Sequence, residues 1–128
     1  NMANKKYNSS WNSNNNRAAY NRKFKEWMKR DWVAWLKKTL TFPFEVERVE
    51  DDDDAYFQKG AIKEPFRLGH HMMAIGLDEE DATYGIMIRV HEKNEDGLVP
   101  LAEVEAVPKK NPNFWPVREY GVWFANRG

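Results

Sequence analysis

The sequence predicts an α+β domain: a small curved antiparallel sheet or SH3-like barrel, with a Trp-rich helix on its N-terminal side and a short helix on its C-terminal side. Three observations predict it. Apolar residues recur at helical spacing between Arg17 and Lys38. Short alternating segments, separated by tight-turn signals, fill the region from Thr41 to Val107. Helical spacing then returns from Pro116 to Asn126. A chain of 128 residues holds one domain, and six Trp, seven Phe and five Tyr can supply its core.

Taken in order, residues 1–16 are polar and Asn-rich, too poor in apolar surface to repay ordering, so they read as a flexible tail ahead of a single domain over 17–128. From Arg17 to Lys38 the spacing puts Phe24, Met28, Trp32, Trp35 and Leu36 on one helical face, with Lys and Arg over much of the rest. Pro43 limits that helix. Thr41 to Val49 alternates as a half-buried strand does, which puts Glu45 and Glu47 on the same face. A loop from Glu50 to Glu64 carries the run Asp51 to Asp54. Pro65 to Leu77 reads as a strand, Asp78 to Asp81 as an acidic turn, and Thr83 to His91 as a further strand. The stretch Asn94 to Gly97 is the best hairpin signal, and Leu98 to Val107 gives the last strand. Pro116 opens the closing helix, whose apolar stripe is Val117, Tyr120, Trp123 and Phe124.

The formal net charge is zero, with 20 Lys/Arg against 20 Asp/Glu, but the signs are segregated. Residues 1–40 carry ten basic and two acidic side chains; residues 41–105 carry six basic and seventeen acidic ones; residues 106–128 carry four and one. The plainer reading is a basic helix complementing an acidic body within one fold; the other is a pair of partner surfaces. There is no cysteine, which removes disulfides, thiolate metal sites and thiol catalysis. No apolar run matches a signal peptide or a membrane span, so a cytoplasmic protein without a membrane partner is expected.

Catalytic signals are absent. No serine follows Ser13, the three threonines lie in no nucleophile motif, and the seven glycines form no phosphate loop. His70 and His71 are neighbours on a predicted strand, so their rings point to opposite faces and do not share a metal. A non-enzyme is expected. Trp27, Trp32 and Trp35 among lysines superficially suit single-stranded nucleic acid, but the acidic central segment repels phosphate, and nucleic acid is the less favoured partner.

Clustered carboxylates suit Ca²⁺, which takes six to eight oxygen ligands. Both EF-hand registers fail. Counting from Asp51, Ala55 stands at position five, Tyr56 at the glycine position and Ile62 at the closing position. Counting from Asp78, the fifth and twelfth positions are Ala82 and Arg89. A calcium site here has to be assembled from separate segments.

Four stretches, LTFPFEVE (Leu40 to Glu47), YGIMIRV (Tyr84 to Val90), VPLAEVE (Val99 to Glu105) and EYGVWFAN (Glu119 to Asn126), resemble in order and spacing the bacterial calcium-binding protein family typified by cyanobacterial CcbP. The resemblance spans about Trp27 to Asn126. It implies a small sheet-rich domain with helices, reversible Ca²⁺ binding through scattered carboxylates, and a role in calcium buffering or signalling. It carries ligand roles to Glu45, Glu47, Asp78, Glu80, Asp81, Glu103 and Glu119. Asp51 or Asp53 is expected to lend at most one further ligand. Arg118 stands where the family places a first acid before the tyrosine of the last helix. The competing expectation is therefore a metal-free protein-interaction module of the same fold.

Overall fold

The computed structural model describes residues 7–50 and 65–127. Asp51 and Asp53 lie outside these residues. Five strands form one antiparallel sheet: β1 (Phe44–Arg48), β2 (His71–Asp81), β3 (Gly85–Glu92), β4 (Glu95–Pro100) and β5 (Val104–Ala106). Their order is β4-β3-β2-β1-β5. The first four form a meander, and a 3-10 turn at Leu101–Glu103 carries the chain back so that β5 pairs with β1. Register shifts in the β2–β3 ladder, between Ala74 and Gly76 and between Leu77 and Glu80, curve the sheet. The helices are α1 (Arg17–Met28), α2 (Trp32–Thr39) and α3 (Phe114–Asn126). None of the described helices is long and apolar enough to cross a membrane.

The expected α+β class with a small curved antiparallel sheet is therefore what the chain forms, as an open sheet edged by β4 and β5. Period-two alternation explains its two faces. Phe44, Val46, Met72, Ala74, Ile88, Val90 and Ala106 point inward and are buried. Glu45, His71, Met73, Ile75 and His91 point outward and are exposed. Helix α3 packs over β5 and the 3-10 turn and buries Val117 and Tyr120. The hydroxyl of Tyr120 accepts the Ile86 N–H at 2.9 Å, which ties α3 to β3. Gly85 makes that approach possible: its φ is +76°, and a Cβ there would meet the Tyr120 hydroxyl and the Phe124 ring at 2.4 Å.

Several boundaries differ from the sequence expectation. The predicted helix from Arg17 to Lys38 is two helices, because Asp31 caps a new one, its side chain accepting from the Ala34 N–H at 3.2 Å. The restart rotates the buried face: Trp27 is fully buried, whereas Met28 is 67% exposed. Asp78 to Asp81, expected as a turn, extends strand β2, and the turn falls after it. The β3–β4 hairpin turns at Lys93-Asn94 rather than at Asn94 to Gly97. Both turn residues have positive φ, 52° and 65°, as a two-residue turn between right-twisting strands requires. Beside it, the Phe66 ring lies over Gly97, and the Phe66 N–H donates to Glu92 Oε1 at 2.6 Å.

The N-terminal segment also departs from a simple tail. Within 7–16, Trp11 is buried, T-shaped against Trp27 and Trp115, and Tyr7 stacks on Trp115 with ring centroids 5.0 Å apart. Two aromatics among ten polar-flanked positions suffice to dock the segment because α1 and α3 present a ready aromatic surface.

Candidate metal centre

The carboxylates expected to bind a cation separate into two buried acids and two exposed groups. Glu119 lies on the inward face of α3 and is 2% exposed. One oxygen accepts the Trp27 indole N–H and an Arg30 guanidinium N–H, each at 2.8 Å. The other accepts the Tyr7 hydroxyl and lies 3.6 Å from the Lys23 ammonium. Arg30 is itself held over the Trp35 ring, 3.9 Å from its centroid, and bonds Glu26 one turn back. A buried carboxylate needs compensating charge and donors, and these side chains supply both. Burial of the Tyr7 hydroxyl, reinforced by the bond to and charge of Glu119, pushes that phenol above its ordinary value.

Glu103 is the second buried acid. The Arg48 guanidinium donates to it at 2.5 Å and also to the carbonyls of Glu50 at 2.9 Å and Phe66 at 2.7 Å. The backbone carbonyl of Glu103 accepts from Val49 and Glu50. This pair ties the end of β1 to the 3-10 turn.

Glu45 and Glu47 occupy the outward face of β1, as the alternation predicts. His71, opposite Glu47 on β2, bridges them: its Nδ1 is 2.5 Å from Glu45 and its Nε2 is 3.7 Å from Glu47. On the other side Glu47 is directly opposite Glu105 of β5. Two like charges across a ladder repel. Arg118, 3.8 Å from Glu105, relieves part of this. Sequence reasoning carried the ligand role to Glu103; the 3-10 turn before β5 puts Glu103 inside and Glu105 on the acidic face. Arg118 is turned toward Glu105 and Asn12, away from the Glu119 cluster.

At the far end of the sheet, Asp81 accepts the N–H groups of Thr83 and Tyr84 at 2.8 Å and so organises the turn into β3. Asp78 accepts from the Glu79 N–H at 2.7 Å. Glu80 lies between two shallow clefts, one lined by Lys37, Asp78, Glu79 and Arg89, the other by Asp81, Trp123 and Arg127. No Lys or Arg forms an ion pair with Asp78, Glu80 or Asp81 among the described residues.

The donors are oxygen atoms, as calcium prefers, but they do not converge. Among the described residues, no three His, Asp or Glu side chains come together in a group that could hold a metal ion. Glu45, Asp81 and Glu119 each have separate partners. The fit is that of scattered surface carboxylates, not of an assembled coordination shell.

Among the described residues, no Lys or Arg of the basic helices forms an ion pair with the acidic segment 41–105. Lys23 and Arg30 pair with Glu26 and Glu119, while Arg22, Lys25, Lys29, Lys37 and Lys38 have no carboxylate partner among the described residues. Trp27 and Trp32 are buried, which removes them as stacking platforms for nucleobases.

A family model described as calcium binding, of the CcbP type, matches residues 18–124. Among solved structures, the chain is similar to the crystal structure of Anabaena CcbP, at 17% identity and a TM-score of 0.54, over 73% of this chain and 71% of that one. An identity that low speaks to the fold. No curated protein matches.

Proposed function

The chain belongs to the CcbP-type calcium-binding family, and from that premise we propose that it is a non-enzymatic Ca²⁺-binding protein that acts in calcium buffering or signalling in the cytoplasm. Its ligands are surface carboxylates from separate segments, without an EF-hand. One observation carries the choice of residues: Glu45, Glu47, Asp78, Glu80 and Asp81 lie at the surface without Lys or Arg ion pairs among the described residues, whereas Glu103 and Glu119 are committed to arginines. The outward face of β1 and β5 holds Glu45, Glu47 and Glu105, whose repulsion a bound cation relieves. The end of β2 holds the second set. Asp51 or Asp53 is reserved as the contributor of one further oxygen.

Calorimetric titration with Ca²⁺, with Mg²⁺ as the control, tests this reading. Binding to the folded state must also raise thermal stability, by about 2.7 kcal/mol at a hundred times Kd. Absence of heat and of any stability gain at millimolar calcium overturns it.

A metal-free interaction module is the second reading, favoured by the way Arg30 and Lys23 already neutralise Glu119. On that reading EDTA leaves thermal stability unchanged, and the unpaired basic face of α1 and α2 captures a partner in a salt-sensitive manner.

A further inference from the structure

A cleft of about 310 Å³ opens between the docked N-terminal segment, α1 and α3. Its lining is unlike the acidic stations described above. Arg17 enters from α1 and Arg118 from α3; Asn12, Ser13 and Asn126 add amide and hydroxyl groups, and Tyr20 adds a half-buried ring to a mainly polar surface. Among the described residues no carboxylate lines it. We propose that this cleft binds a small organic phosphate, the phosphate on the two guanidinium groups and the attached organic group beside Tyr20.

The positions of the two arginines carry the inference. Arg17 pairs with no carboxylate among the described residues and sits above the Tyr20 ring, 5.7 Å from its centroid. Arg118 is oriented by Asn12, whose side-chain oxygen accepts from Nε at 3.2 Å. Its nearest acid, Glu105, is 3.8 Å from one terminal nitrogen and lies outside the cleft lining, so the guanidinium keeps donors for a ligand. Guanidinium forks match the paired oxygens of a phosphate, and hydrogen bonds between ionised groups are about twice as strong as neutral ones. The cleft exceeds what one tetrahedral anion fills, and the Tyr20 ring beside Arg17 offers contact to a ring or short carbon chain. The site uses none of the proposed calcium ligands; Arg118 borders Glu105 on the acidic face, so Arg17 is the residue whose replacement separates failure of this reading from failure of the calcium reading.

The test is a ¹H–¹⁵N NMR titration of the full chain, in EDTA, with inorganic phosphate and separately with phenyl phosphate. The expected result is saturable perturbation confined to residues 12–17 and 118–126, with phenyl phosphate bound more tightly than inorganic phosphate. R17Q and R118Q should each weaken phenyl phosphate by about tenfold or more, while R22Q, on the exposed side of α1, should not. Arg17 has no ion pair among the described residues, so R17Q keeps the test valid even if R118Q disturbs the packing at Glu105. Perturbations spread over Arg22, Lys25 and Lys37, unchanged affinity in R17Q, or no saturation with either probe would overturn the proposal.

Discussion

Around Glu119, helix α1, the link to α2 and the N-terminal segment bring four donors to one carboxylate. On the outward face of β1, Glu45 and Glu47 meet a shared histidine and the like charge of Glu105. The side chain is the same and the chemistry available to it is not. A buried carboxylate is stable only when the protein supplies its counter-charge, and once supplied that charge leaves little for an external cation. An exposed carboxylate is solvated, contributes little to folding, and keeps its oxygens available. Position within the fold, more than the number of acids, separates structural carboxylates from candidate ligands.

The sharpest way to break the comparison is E119Q. Removing the charge leaves Arg30 and Lys23 facing a neutral amide in a buried site, and stability in urea unfolding should fall by about 3 kcal/mol or more. A loss below about 1 kcal/mol would place Glu119 with the surface acids.

A smaller effect is expected from Y7F, which deletes one donor to Glu119 but leaves the stacked ring, at a cost of about 1.5 kcal/mol. Its pH dependence is more telling. The folded-state pKa of Tyr7 is raised above the ordinary 10.0, first by burial and then by Glu119. The stability it contributes is therefore intact below about pH 10 and is lost as pH rises further, because the unfolded chain then releases its proton first. Tyr120, also raised by burial, behaves the same way. Y7F should lose stability less steeply than the parent chain in unfolding curves above pH 10; an identical slope would mean the Tyr7 hydroxyl is not held by Glu119.

The smallest effect on folding is expected from the double variant E45Q/E47Q, within about 0.5 kcal/mol in metal-free buffer. Its calcium titration should nonetheless lose heat relative to the parent. Calorimetry on D78N/E80Q then sharpens the assignment: retained binding in E45Q/E47Q with loss in D78N/E80Q moves the site to the end of β2, and full retention in both removes exposure as the criterion.

Much of this contrast was legible in the sequence. The alternation of Phe44, Glu45, Val46 and Glu47 fixes which acids face water, because period two leaves no other choice. Burial of Glu119 was not legible, since its partners stand about 90 to 110 residues away. One trace of it existed: Lys23, Trp27 and Arg30 are spaced by four and three, which puts Lys23 and Trp27 on one side of α1 and Arg30 just past its end on that side. The burial of Glu103 was hidden by a single 3-10 turn, which shifts the phase of the strand that follows. The split between α1 and α2 was signalled by Asp31 as a cap, but the continuous apolar spacing on both sides outweighed it.

The Phe66 ring over Gly97 has a consequence for the molecule in crowded solution. Among the described residues strand β4 is an edge, and unpaired edges recruit strands from other chains. Here the ring shields the glycine, Glu95 and Asp96 charge the near end, and Pro100 withholds an N–H at the far end. A protein that gathers carboxylates on its surface is exposed to aggregation whenever cations neutralise them; this guarded border keeps the sheet from growing sideways when that charge is gone.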